Sequence, residues 1–145
     1  MKVINASVQE IKQAPGIRGI YQHIEKCGRT CYKSEDKITE DSAMKFFQNL
    51  VNRKHYAMLE HGTVYLRFPK YLEDNWIISK IISSHYSHSR IGDNNFYVTT
   101  NMRVLIEEIP NEYEHVLRKY ALEEPDANHI KRVTAHFVIS RAIAN

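Results

Sequence analysis

Apolar positions along the chain fall into a few periodic runs. Residues 2–8, "KVINASV", read as a short strand. Pro15 suits the first turn of a helix, where its missing amide costs nothing. Ile17, Ile20, Tyr21 and Ile24 then follow at helical spacing, and Gly28 is placed to end that helix. The polar stretch "RTCYKSEDKIT" connects it to a second helix, for which Thr39 or Asp41 is the cap and Glu40 is favourable near the N-terminus. Ala43, Phe46, Phe47, Leu50 and Val51 form one apolar face, the strongest helical signal in the sequence.

Beyond residue 62 the period changes from helical to alternating. In "TVYLRF", Val64, Leu66 and Phe68 point one way and Thr63, Tyr65 and Arg67 the other, which predicts a half-buried strand ended by Pro69. Residues 70–96 are ambiguous: "WIISKII" fits strand or helix, and "SSHYSHSRIGDNN" reads as a polar loop. "FYVTT" reads as a strand and "NMRVLIEE" as a turn or two of helix. Residues 110–122 form an amphipathic helix carrying Tyr113, Val116, Leu117 and Tyr120, and "EEPDAN" breaks it. "RVTAHFVIS" alternates again, with Val133, Ala135, Phe137 and Ile139 on one face. "RAIAN" starts a further helix as the sequence stops, and since a single helical turn gains little and frays, the pattern reads as interrupted.

Length and charge narrow the partners. A chain of 145 residues is the size of one domain, taken here as 1–145, with room for a core. The net charge of +3 and the sequence pI near 8.8 suit anionic ligands such as nucleotides. Without a Lys/Arg block they do not call for nucleic acid. No apolar run has the length of a membrane span, and "MKVINASVQEIKQ" has no signal-peptide core, so a cytoplasmic location is expected. Cys27 and Cys31 agree with that: they are too few for a disulfide framework or an iron–sulfur cluster, and their spacing is not C-x-x-C.

The densest chemistry lies in "RKHYAMLEHGTVYLRF", where His55, Glu60 and His61 precede the strand. Three readings compete. A metal site is disfavoured by spacing. Hydrolase motifs place ligands one helical turn apart, whereas residues five apart diverge by roughly 140° around a helix. Plain surface polarity fits the loop composition. A cofactor site fits the position between helix and strand, where a glutamate can accept from adenine or ribose and a histidine can face a phosphate or flat ring. With five glycines and neither G-x-G-x-x-G nor G-x-x-x-x-G-K-[ST], a nucleotide cofactor would need a fold other than the Rossmann type.

The ordered blocks "GRTCYKSE" (28–35), an amphipathic helix, "KHYAMLEHGTVYLRF" (54–68), "YVTTNMRVLIE" (97–107) and "KRVTAHFVISRAIAN" (131–145) resemble the N-terminal part of flavin-dependent thymidylate synthases. The resemblance runs from about residue 14 to the end, and the H-x-x-x-x-E-H block followed by a strand is its most specific piece. It implies an α+β fold with helices packed on a largely antiparallel sheet. It implies an enzyme that reductively methylates dUMP to dTMP, taking carbon from methylenetetrahydrofolate and electrons from NADPH through FAD. It also implies a homo-oligomer, typically a tetramer, whose sites are built from several subunits. On the same ground His55 would lie beside the flavin, and Glu60 would contact the cofactor, either in its own subunit or across a subunit boundary. Arg29 and Cys31 match an Arg and a small polar residue near the flavin-binding region. Many members carry Ser or Thr where Cys31 and Ala57 stand. The family needs no cysteine nucleophile, so neither thiol has to be catalytic, and no catalytic residue is assigned.

The R-H-R-x-x-S signature of the family and the half that follows are not in this sequence. The expectation is a truncated synthase, inactive alone, in which the "RVTAHFVIS" strand exposes an apolar face and promotes self-association. The alternative of another class is a non-catalytic domain that kept the fold and binds a nucleotide or a protein. A metal-dependent hydrolase is a third reading that the spacing does not favour.

Overall fold

The structure, a computed structural model, describes residues 5–72 and 75–139. Strand β1 (Ser7–Ile11) leads into helix α1 (Gly16–Tyr32), then α2 (Ser42–Asn52), a 3-10 segment (Tyr56–His61) and β2 (Thr63–Pro69). Helix α3 (Trp76–Ser83), strands β3 (His88–Ile91) and β4 (Asn95–Asn101), helices α4 (Met102–Glu108) and α5 (Tyr113–Tyr120) and strand β5 (Thr134–Val138) follow. Helix and strand are mixed, and the class is α+β. Among the described residues the strands form two antiparallel sheets rather than the one expected: β2-β4-β3, and a ribbon of β1 and β5.

The alternation read in "TVYLRF" is what buries β2. Val64, Leu66 and Phe68 lie opposite Thr100, Val98 and Phe96, and all six are buried. They pack on Ile20 and Ile24 of α1, Phe47 and Leu50 of α2, and Leu105 of α4. The apolar face of α2 is the expected one, with Phe46 and Val51 at its margin. Asp41 occupies the cap position of α2 but makes no capping bond there. Ser42 ties this end down instead: its Oγ accepts from the Thr39 amide at 2.9 Å and donates to Glu25 Oε2 at 2.8 Å.

Gly28 does not end α1. The helix continues to Tyr32, and Lys33 closes it with φ at 51° while the Ser34 amide donates to the Arg29 carbonyl. Gly28 serves packing instead, because a Cβ there would sit 2.8 Å from the Phe46 ring of α2. "WIISKII" is the helix α3, started by Asn75, whose side chain accepts from the Ile77 amide. Ile78 and Ile81 face the core. The expected polar loop 83–95 contains β3, which reads as loop because all four of its residues are exposed; backbone pairing with β4 makes it a strand. The strand expected at 2–8 begins at Ser7 and runs to Ile11, and residues 1–4 lie outside the described residues. So does the helix expected at 141–145.

The segment after α5 covers the outer face of β2. The Leu122 amide donates to the Tyr65 carbonyl. Buried His129 stands edge-on to Tyr65 and Tyr97, with Nε2 donating to the Leu66 carbonyl and Nδ1 accepting from the Asp126 amide. These partners place the ring proton on Nε2. In the ribbon, the face carrying Val133, Ala135, Phe137 and Ile139 is open to solvent, and Val8, paired with Phe137, extends it. Among the described residues no helix is long and apolar enough to cross a membrane.

Candidate functional site

The site grows from a buried charge. Glu25 of α1 is 1% exposed. One helical turn on, Arg29 donates to Glu25 Oε1 through both Nε and Nη2, at 3.2 and 3.1 Å. The other carboxylate oxygen takes the Ser42 hydroxyl. Buried carboxylates persist only when their lone pairs are taken and a cation faces them, and Glu25 has both. Its partner is held in turn by aromatic packing: the Arg29 guanidinium lies 4.7 Å from the centre of the Phe46 ring, which Gly28 allows to come this close.

Next to this pair lies a cavity of about 480 Å³, lined by Arg29, Tyr32, Lys37, Phe46, Asn49, Leu50, Arg53 and His55. His55 reaches it through a reversal of the chain after α2. Lys54 adopts the left-handed conformation with φ at 56°, and the Lys54 and His55 amides donate to the Val51 and Leu50 carbonyls. Tyr32 Oη comes within 3.4 Å of His55 Nδ1 across the opening. Among the described residues the lining therefore combines two aromatic rings with Arg, Lys and His side chains and no carboxylate. Cavities of a few hundred cubic ångströms with apolar walls and a few fixed polar groups are the usual form of small-ligand sites.

Of the four residues expected at a cofactor, the structure brings Arg29 and His55 to this cavity. Cys31 is exposed on α1 and does not line it. Helical geometry explains this, since residues two apart do not share a face. Glu60 is also outside the lining. It sits on the 3-10 segment and pairs with Arg103 of α4, which also donates to Glu107 at 2.9 Å and lies 5.7 Å from the Tyr86 ring. Its hydrogen bonds to Glu107 and then Glu60 raise the Arg103 pKa further above its already high value. Glu60 is thus engaged within the chain. The four expected residues are divided between the cavity, an ion-pair cluster and the outer surface of α1.

Sequence reading missed Tyr32, Phe46, Lys37 and Arg53 as cavity residues. The Glu25–Arg29 pair was the available signal, because Glu and Arg four apart on a helix share a face in the favourable order. Burial pushes the Cys27 thiol pKa up, so this cysteine stays protonated and inert near neutral pH. Among the described residues, no three His, Cys, Asp or Glu side chains gather as metal ligands.

A second cavity, of about 280 Å³, separates the ribbon from the body and includes His23, Thr63, Tyr65, Arg132 and Thr134. There His23, 4% exposed, places Nε2 at 2.8 Å from Thr134 Oγ1 and so joins α1 to β5. Gln13 makes two bonds of 2.9 Å to the Thr63 backbone and fixes the start of α1 against β2.

Compared with known proteins, the chain matches no family model, no curated protein and no solved structure.

Proposed function

We propose that the chain is part of a flavin-dependent thymidylate synthase and that the Arg29–His55 cavity is one wall of its FAD site. The observation that carries this reading is the meeting of Arg29 and His55, far apart in sequence, on one cavity whose other walls are the Tyr32 and Phe46 rings. The residues fit such a group: flat rings and side-chain nitrogens suit an aromatic, phosphate-bearing cofactor. When bound, FAD supplies the hydride that reduces the carbon passed from methylenetetrahydrofolate to dUMP, and NADPH replenishes it. The chain's own part is to bind and orient. Phe46 offers a ring face, Glu25 keeps Arg29 from swinging away, and His55 can donate or accept a hydrogen bond at the mouth. In this reading dUMP, the folate and further copies of the chain complete the site, in a homo-oligomer that binds neither nucleic acid nor membrane.

The same cavity supports a second reading, because its rings and cationic side chains are groups that bind a ligand whether or not chemistry follows. A non-catalytic nucleotide-binding domain would keep such a site. Visible absorption after gel filtration with added FAD tests the first reading. Flavin absorbance is expected to co-elute with the protein and to fall on His55→Ala substitution. Flavin eluting free from folded protein refutes it. Subsequent dUMP titration separates the two readings, since only the synthase predicts a perturbed flavin spectrum.

A further inference from the structure

The charge balance of the cavity is not carried by Arg29. Both Nε and Nη2 of that guanidinium point to Glu25, whose side chain is 2% exposed, so the pair is electrically closed. The remaining positive charge comes from Lys37 and Arg53, both exposed and both lining the cavity. Neither makes a salt bridge among the described residues. Glu35 and Asp36 precede Lys37 in its 3-10 turn but do not line the cavity. Lys37 and Arg53 come from different parts of the chain, one before α2 and one just after it, so α2 itself spaces them. Two exposed cations with no salt bridge among the described residues thus stand beside two rings, a combination suited to an aromatic ligand that carries negative charge.

We propose that this cavity reads phosphate: its ligand is a nucleotide whose aromatic ring lies against Tyr32 and Phe46 while its phosphates meet Lys37 and Arg53. Lys37 and Arg53 are then the residues that determine specificity for the phosphorylated ligand. The guanidinium of Arg53 can meet two phosphate oxygens at once and the ammonium of Lys37 acts as a point charge. Arg29 serves as a locked edge of the ring site and not as a phosphate ligand. The choice of FAD as the main probe rests on the flavin reading above; the phosphate assignment applies to any nucleotide.

The test compares FAD, riboflavin and ADP, using flavin fluorescence for the first two and calorimetry for the third. FAD is expected to bind at least about tenfold tighter than riboflavin, because charge-assisted bonds to phosphate are roughly twice as strong as neutral ones. The Lys37→Ala/Arg53→Ala double variant, changed only at exposed positions, is expected to melt with the wild type and to bring the two flavins within about threefold of each other. Added salt should weaken FAD binding and leave riboflavin unchanged. Equal affinity for FAD and riboflavin in the wild type overturns the phosphate assignment while leaving the flavin reading in place, as does an unchanged ratio in the double variant. Binding of ADP that the double variant loses, with no binding of either flavin, supports the assignment and removes the flavin reading. Binding of none of the three overturns both.

Discussion

Replacing Glu25 by Gln should destabilise the protein well beyond what an ordinary helical ion pair is worth. The substitution keeps the shape and leaves an oxygen for the Ser42 hydroxyl, but it removes the charge facing Arg29. An exposed pair four apart on a helix contributes only about 0.3–0.5 kcal/mol. Here the two side chains are 2% and 16% exposed, and removing one partner of a buried pair costs about 3–5 kcal/mol. Arg29 keeps part of its surface in water and can rehydrate there, so the lower end, about 3 kcal/mol, applies. For a domain of this size each kcal/mol moves the melting midpoint by roughly 2–4 °C, which gives a fall of roughly 6–12 °C. Circular dichroism melts at matched concentration measure it. The companion double variant Glu25→Met/Arg29→Met removes both charges and fills the same space with apolar atoms. It should recover to within about 1 kcal/mol of wild type. An E25Q midpoint within a degree of wild type, or a double variant less stable than E25Q, would refute the view that the buried charge governs this corner of the fold.

Other perturbations read other parts of the structure. Gly19→Ala should cost about 1–3 kcal/mol in urea unfolding despite the better helix propensity of alanine, because the added Cβ would sit 1.9 Å from the Ala14 carbonyl oxygen; unchanged stability would show that the turn before α1 yields freely. Burial, then the neighbouring His61 and Lys26 charges, holds the His23 pKa below 6.5, so the unfolded chain binds that proton more readily. The stability that neutral His23 contributes is therefore present above about pH 6.5 and lost as pH falls through its lower folded pKa, and His23→Gln should flatten the change in urea midpoint between about pH 5 and about pH 7.5. An identical pH slope in the variant would count against the burial argument. Val8→Thr/Phe137→Ser should reduce concentration-dependent association in light scattering, since these two side chains are 63% and 62% exposed on one face of the ribbon. A wild-type protein that stays monomeric throughout the micromolar range would remove this expectation.

Periodic burial was legible from the residues alone. The α2 face of Ala43, Phe47 and Leu50 and the alternation of Val64, Leu66 and Phe68 report which side of each element is dry, and one sequence carries that information locally. The alternation in β5 was legible too, but its apolar face is open to solvent, an exposure expected from the truncated-synthase resemblance and not from the period. Strand β3 was not, because none of its side chains is buried and its existence rests on pairing with β4. Gly28 was misread as a stop because the sequence does not record that Phe46 packs against it. The candidate site divides along the same line. Residue type singled out His55 and the family resemblance pointed to Arg29, but their meeting depends on the left-handed turn at Lys54 and on α2 packing against α1. Glu60, adjacent in the motif, turned instead to Arg103, and Cys31 turned to solvent. A sequence states what each side chain can donate, accept or bury. Which of those capacities meet across a cavity is decided by contacts between elements distant along the chain, and only the tertiary structure contains them.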